Sequence, residues 1–138
     1  MNINSLIFST AAVLLWGVWG ILLKQASVNL NPLNNLVFSG LGSLVVVLGS
    51  IVLLGGKVDF SSSRSIVFSV LAGFIGTLAV LFFIYAVSKG RVSAVVPFTS
   101  LYPIVTVLLA VVLLGENISV RQIFGIGFAL IALLLLSL

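Results

Sequence analysis

The amino-acid sequence predicts an all-α integral membrane protein: a bundle of five transmembrane helices forming one domain over residues 1–138. Three observations carry that expectation. The chain is 62% hydrophobic and 6% charged, with a mean hydropathy of +1.44, which leaves too few charges to wet the surface of a soluble domain. Its apolar residues fall in five uncharged runs, about residues 6–23, 36–54, 65–87, 92–114 and 122–138, and roughly 20 apolar residues cross a bilayer's hydrocarbon core as a helix. Hydrophobicity is continuous within each run, not alternating, which excludes a β-barrel.

The same composition excludes several functions. Six Lys and Arg against Asp59 and Glu116 give a net charge of +4 and a pI near 10.2. The basic residues stand singly in loops, without the cluster that a nucleic acid needs. There is no Cys and no His, so disulfides, thiol chemistry, the usual zinc sites and imidazole proton shuttles lack their parts. No nucleophile stands beside a general base. No catalytic residue, metal or cofactor is therefore expected, and the chain does not read as an enzyme. The first run has no Lys or Arg before it and no small-residue cleavage site after it, so it reads as a retained helix rather than a signal peptide.

The first helix runs from about Leu6 to Leu23 and is ended by Lys24. Thr10, Gly17, Gly20 and Lys24 share one face, and small faces are where membrane helices approach one another. Lys24 either points into the bundle or snorkels to the headgroups. Trp16 and Trp19 lie too deep for an aromatic belt, and they either line a cavity or pack. Asn31-Pro32 opens the second helix, Asn31 as N-cap and Pro32 at the first helical position. Ser39, Ser43 and Ser50, with Gly42 and Gly49 beside them, form an interhelical stripe, a substrate role for the serines being the alternative. Gly55-Gly56 ends that helix, and the longest loop follows with Lys57, Asp59 and Ser61 to Arg64. In the third helix Ala72, Gly76 and Ala79 make a small stripe, and Tyr85 reads as an interface anchor. The short turn from Ser88 to Arg91 makes helices three and four an antiparallel hairpin. Ser119 with Gln122 fits a capping box opening the fifth helix, and Glu116 favours the positive end of that helix's dipole. Gly125, Ala129 and Ala132 form a small face on it.

The fourth run, Val92 to Leu114, carries the functional expectation. Pro103 falls near its middle, at the bilayer midplane, and has no N–H for the carbonyl of Thr99. Thr99, Tyr102, Pro103 and Thr106 recur at i, i+3, i+4 and i+7 and so share a face. Lipid cannot satisfy two hydroxyls, a phenol and a free carbonyl, so that face must meet other helices or a wet cavity. A helix broken at mid-depth points to a transporter binding site. The other reading is a kink that shapes the bundle, with Ser and Thr hydroxyls bonded back to the backbone.

Those residues also carry a resemblance. Trp16-Gly17 through Gly20 to Lys24, Pro32 after a short polar loop, Pro97 and Pro103, Gly115-Glu116, and then Ser119, Gln122 and Gly125 resemble one half of an EamA-type transporter of the drug/metabolite transporter superfamily. The resemblance covers nearly the whole chain and implies a single-repeat, five-helix member. Larger relatives carry two such repeats in inverted orientation and move small organic metabolites, often outwards, across the cytoplasmic membrane. It adds Pro97 to Pro103 as a helix break and supports Lys24, Trp16, Thr99, Tyr102 and Thr106 as substrate-binding residues. Two departures narrow the substrate. Ser39 and Gly40 stand where many relatives have an arginine, against an anionic solute. No acid occurs between Met1 and Leu23, against the proton-coupled route of the small multidrug relatives.

The expected function is therefore a transporter, an exporter by family habit, in a bacterial or archaeal cytoplasmic membrane. Its partners are membrane lipid, a small-molecule substrate and a second five-helix half. That half is either a homodimer mate, antiparallel if inverted, or a paralogous chain. Lys57, Arg64 and Arg121 fall on one side of the membrane, and Lys24, Lys89 and Arg91 on the other. This tie leaves orientation open under the positive-inside rule. Gly125, Ala129 and Ala132 would supply part of the dimer contact. The alternative from another class is a subunit that assembles with another protein without transporting, or that serves a lipid-carrier flippase.

Overall fold

A computed structural model describes residues 2–56 and 58–137, and among them there are helices and turns but no strand. The expected role of Lys57 in the long loop, and the expected end of the fifth helix at Leu138, lie outside the described residues. The chain divides into two compact units, Met1–Ser88 and Lys89–Leu138.

In the first unit α1 spans Ile3–Ala26, α2 Pro32–Leu53 and α3 Ser63–Lys89. Each is longer than about 30 Å at 1.5 Å per residue, enough for the hydrocarbon core. The helices extend a few residues past the apolar runs, because caps carry the backbone ladder on into the polar layer. Asn2 caps α1, its Oδ1 accepting from the Ser5 amide at 2.8 Å. Asn31 caps α2 as expected, accepting from the Asn34 amide at 2.8 Å, with Pro32 in the first turn. Past α2, Gly55 and Gly56 take positive φ values of 83° and 68°. In the loop before α3, Asp59 accepts from both the amide and the hydroxyl of Ser61 at 2.8 Å. The Ser61 amide, then its hydroxyl, hold the Asp59 carboxyl below the ordinary carboxylate range. A depressed pKa means this contribution is present at neutral pH and is lost only as the pH falls through that lowered value.

Few side chains in this unit are shielded. Leu23, Ile84 and Val87 are buried, while Leu14, Val45, Phe74 and most other large apolar residues are exposed, the surface a helix presents to hydrocarbon. The buried residues lie together where the last turns of α1 and α3 meet the first turn of α2. Trp19 stacks on Phe83 with ring centroids 5.1 Å apart, so α1 and α3 run in the same direction.

In the second unit α4 spans Val92–Thr99, α5 Tyr102–Leu114 and α6 Val120–Ser137, and α4 packs against α6. Together α4 and α5 make the 23-residue fourth span, Val92–Leu114, so among the described residues there are four spans of membrane length, the fourth in two pieces, and α6 is a shorter apolar helix. Gly115 closes α5 in the left-handed region, φ 67°, and the next amide, that of Glu116, reaches back to the Ala110 carbonyl. The expected capping box opens α6. The Ser119 amide and hydroxyl both donate to Gln122 Oε1 at 2.8 Å, and the Gln122 amide returns to Ser119 Oγ at 3.3 Å.

Among the described residues, the backbone demands glycine at Gly115 and at the Gly55-Gly56 pair. Gly115→Ala is expected to lower stability by about 1–2 kcal/mol, the strain of a Cβ in that region. Gly49→Ala, in the interior of α2 with nothing within 4 Å of the added Cβ, should leave stability equal or raised by up to about 1 kcal/mol. Unfolding of the purified protein in mixed micelles measures both signs.

Candidate functional site

The first cluster of polar groups sits at the shared end of α1, α2 and α3. Asn35, 2% exposed, is the buried polar side chain of the described residues. It stands one turn into α2, where the Asn31 cap and Pro32 start the helix. Its Nδ2 donates to the Leu23 carbonyl at 3.2 Å and to Ser27 Oγ at 2.8 Å. Because a carbonyl only accepts, the amide orientation is fixed. The Ser27 hydroxyl donates in turn to the Leu23 carbonyl at 2.8 Å. Three donors therefore converge on that carbonyl, the Ser27 amide at 3.0 Å being the third. The last turn of α1 and the first of α2 are thereby tied through one atom.

Lys24 stands beside this knot. Its Nζ donates to the Val87 carbonyl of α3 at 2.7 Å. Val87 belongs to the last turn of α3, where carbonyls have no helical donor. Two helix C-termini, those of α1 and α3, concentrate partial negative charge here, and a cation is stabilised by about 0.3–1 kcal/mol at each such end. The two readings of Lys24 thus merge. It sits at the depth of a helix end, as snorkelling requires, and its ammonium turns to α3. Trp16 is 61% exposed, whereas Trp19, half-buried, makes the stack on Phe83. The packing expected of the tryptophans is therefore seen at Trp19.

The second cluster is the break in the fourth span. It falls at Ser100-Leu101, about 12 Å from the Val92 end of a span about 34 Å long, at 1.5 Å per residue. This places Pro103 in the first turn of α5, where a missing N–H is tolerated. Pro97 lies inside α4, which continues past it to Thr99; the interruption belongs to Pro103. The Ile104 amide turns to Leu101 at 3.0 Å. The carbonyls of Thr99 and Ser100 thus lose the donors four residues on, one because Pro103 has none and one because Ile104 is diverted.

The hydroxyls around the break donate to their own helices. Thr99 Oγ1 lies 3.0 Å from the Val95 and Val96 carbonyls, Ser100 Oγ 2.8 Å from Val96 and Thr106 Oγ1 3.3 Å from Tyr102. Each hydroxyl has one hydrogen and two lone pairs, so what remains on offer is acceptors. Thr99 is half-buried, Thr106 is exposed and Tyr102 is 57% exposed. In the same unit Gly125 and Ala129 line a groove of about 390 Å³ between α5 and α6, while Ala132 is exposed.

The pattern expected of a substrate site includes Thr99, Tyr102, Thr106, Lys24 and Trp16. It omits Asn35, Ser27 and the α3 carbonyl that receives Lys24. Asn35 carried a signal of its own, an amide at the mouth of an otherwise apolar run.

Among the described residues, four apolar spans of membrane length, one of them interrupted beside a proline, and a shorter apolar helix define a multi-pass membrane protein built around a broken helix. The family model that matches is the EamA-like transporter family, over residues 3–138, and the chain belongs to that family. That family is one of membrane transporters. A stretch of 53 residues is 42% identical to an uncharacterised protein of Methanocaldococcus jannaschii, covering 38% of this chain and 39% of that protein. The chain thus aligns with well under half of that relative's length. No solved structure matches.

Removing the amide of Asn35 takes one donor each from the Leu23 carbonyl and the Ser27 hydroxyl oxygen and leaves a buried void. Asn35→Ala is expected to destabilise the protein by about 1–3 kcal/mol. Asn34→Ala, one residue earlier and exposed, should be silent. Both are read from the midpoint of unfolding in mixed micelles.

Proposed function

We propose that the chain is one half of a carrier that exports a small organic metabolite across a bacterial or archaeal cytoplasmic membrane, working as a dimer of five-helix halves. The observation that carries this reading is the break at Ser100-Leu101, in the interior of the Val92–Leu114 span. Backbone carbonyls freed at membrane depth are tolerated where they meet protein or a water-filled cavity, and they serve as ligand groups in broken-helix carriers. The Thr99 and Ser100 carbonyls, with the lone pairs of Thr99 and Thr106, make an acceptor-rich surface. It suits a neutral or zwitterionic solute that donates hydrogen bonds. Tyr102 supplies a hydroxyl that both donates and accepts, and Lys24 and Trp16 are the proposed contributions of the first unit.

Cysteines replacing Thr99, Tyr102 and Thr106 are expected to react with a water-soluble thiol reagent, and cysteines at Ile104, Leu108 and Val111 to stay unlabelled. Equal labelling of the two sets would remove the cavity. Solute uptake into proteoliposomes should fall at least about tenfold in Pro103→Ala, which returns a donor to the Thr99 carbonyl, a hydrogen bond worth about 1 kcal/mol or more in a dry site. Unchanged uptake would make the break incidental.

On this reading α6 crosses as well, and the five crossings put Ile3 and Ser137 on opposite sides of the membrane. A single repeat rebuilds an inverted pair only with a second half inserted the other way. On that reading, two reporters fused after Leu138, one active only in the cytoplasm and one only outside, both work on the wild type. Lysines added at Asn2 and Asn4 silence one of them. A wild type on which one reporter never works points to a separate partner chain.

A second reading, a subunit that assembles with another protein without transporting or that serves a lipid-carrier flippase, is favoured by one specific observation. The serine and threonine hydroxyl hydrogens at the break are spent on the chain's own carbonyls, and no ionised residue lies in the span. Under it, the Pro103→Ala variant changes complex formation and leaves no uptake to lose.

A further inference from the structure

We propose that the groove between α5 and α6 is a binding site for a membrane lipid whose headgroup ends in a primary ammonium. The inference rests on the second unit alone and does not depend on what the broken helix carries. The groove, about 390 Å³, is lined near its mouth by Glu116, Asn117 and Gln122 and deeper by Val107, Gly125 and Ala129. That volume falls within the range of small-molecule sites. Glu116 is one of only two acids in the chain, and among the described residues its carboxylate has no hydrogen-bond or ion-pair partner. An acceptor-only anion at the mouth of an apolar groove complements a cation that donates hydrogen bonds.

Depth selects a lipid as the source of that cation. Glu116 follows the end of a span that fills the hydrocarbon core, Val92–Leu114, so it lies at headgroup level. Val107 stands seven residues before the end of α5, and Ala129 seven residues past Gln122, each about 10 Å deeper at 1.5 Å per residue. The groove therefore runs from the headgroup layer into the acyl region. Its floor is open: a Cβ added at Gly125 would meet nothing within 4 Å. Gln122 Oε1 is taken by the Ser119 amide and hydroxyl at 2.8 Å, which leaves its Nε2 hydrogens as donors. An ethanolamine phospholipid matches this order of groups. Its ammonium meets Glu116, its phosphate is within reach of Gln122, and one acyl chain follows the Gly125 and Ala129 side of α6.

The test uses the full chain in nanodiscs of phosphatidylcholine and phosphatidylglycerol doped with a phospholipid carrying a photoreactive acyl chain. Adducts on residues 107–129 are expected to form about tenfold more with photoreactive phosphatidylethanolamine than with the choline or glycerol lipid, the selectivity one charge-assisted hydrogen bond supports. Glu116→Gln should bring the ethanolamine lipid down to the choline level, while Asp59→Asn, the other acid, leaves the preference intact. Gly125→Leu should abolish labelling by all three lipids. Equal labelling by the three lipids, a preference unaltered in Glu116→Gln, or loss of the adduct on adding millimolar soluble phosphoethanolamine would each overturn the proposal; the last would assign the site to a free amine.

Discussion

Every backbone N–H and C=O in the hydrocarbon must find its partner within the protein, because lipid supplies none. Much of this structure follows from that constraint. Serine and threonine hydroxyls inside the spans turn back on the preceding turn of their own helix, as Thr10 does on Leu6 at 2.9 Å and Thr77 on Gly73 at 2.9 Å. Helix ends are closed with local groups, Asn2, Asn31 and Ser119 at N-termini and Gly115 past a C-terminus. The break beside Pro103 is the place where, among the described residues, a helix stops within a span.

The cluster at the end of the first unit satisfies the same constraint by a different route. Val87 is in a last turn, where carbonyls lack a helical donor, and the Leu23 carbonyl, met by the Ser27 amide at 3.0 Å, still has acceptor capacity. Side chains from a neighbouring helix supply them: Asn35 to Leu23 and Lys24 to Val87. Polar side chains thus hold three helices together where apolar packing is thin, with only Leu23, Ile84 and Val87 buried among the hydrophobic residues. Membrane helices lack a hydrophobic driving force between them, which gives such polar ties a larger share of the specificity.

The apolar spans, the Asn31 cap, the Ser119 capping box, the glycine ends and the interruption at Pro103 were legible in the sequence. Each depends on local chemistry: an uncharged run of bilayer length, a side chain that reaches an amide three residues on, a missing N–H. What could not be read locally is which distant carbonyl receives a given donor. Lys24 could be placed at a helix end, but not on Val87. Asn35 falls in the first turn of a helix that begins at Pro32, but its bond to the Leu23 carbonyl, across the turn between two helices, is not a local feature. At the break, periodicity put Thr99, Tyr102 and Thr106 on one face, but it could not show that the threonine hydrogens were already spent.

The separation of the two ties along the chain orders how the first unit is assembled during synthesis. Asn35 is 12 residues from Leu23, so that knot closes within a helical hairpin as soon as α2 emerges. Lys24 is 63 residues from its acceptor, which at about 5–20 residues per second is a wait of roughly 3–13 s. The position of Lys24 two residues from the end of α1 puts its ammonium within reach of the polar layer while α3 is made. It lets the early hairpin enter the bilayer with its charge still wet and gives the third helix a fixed cation to dock against.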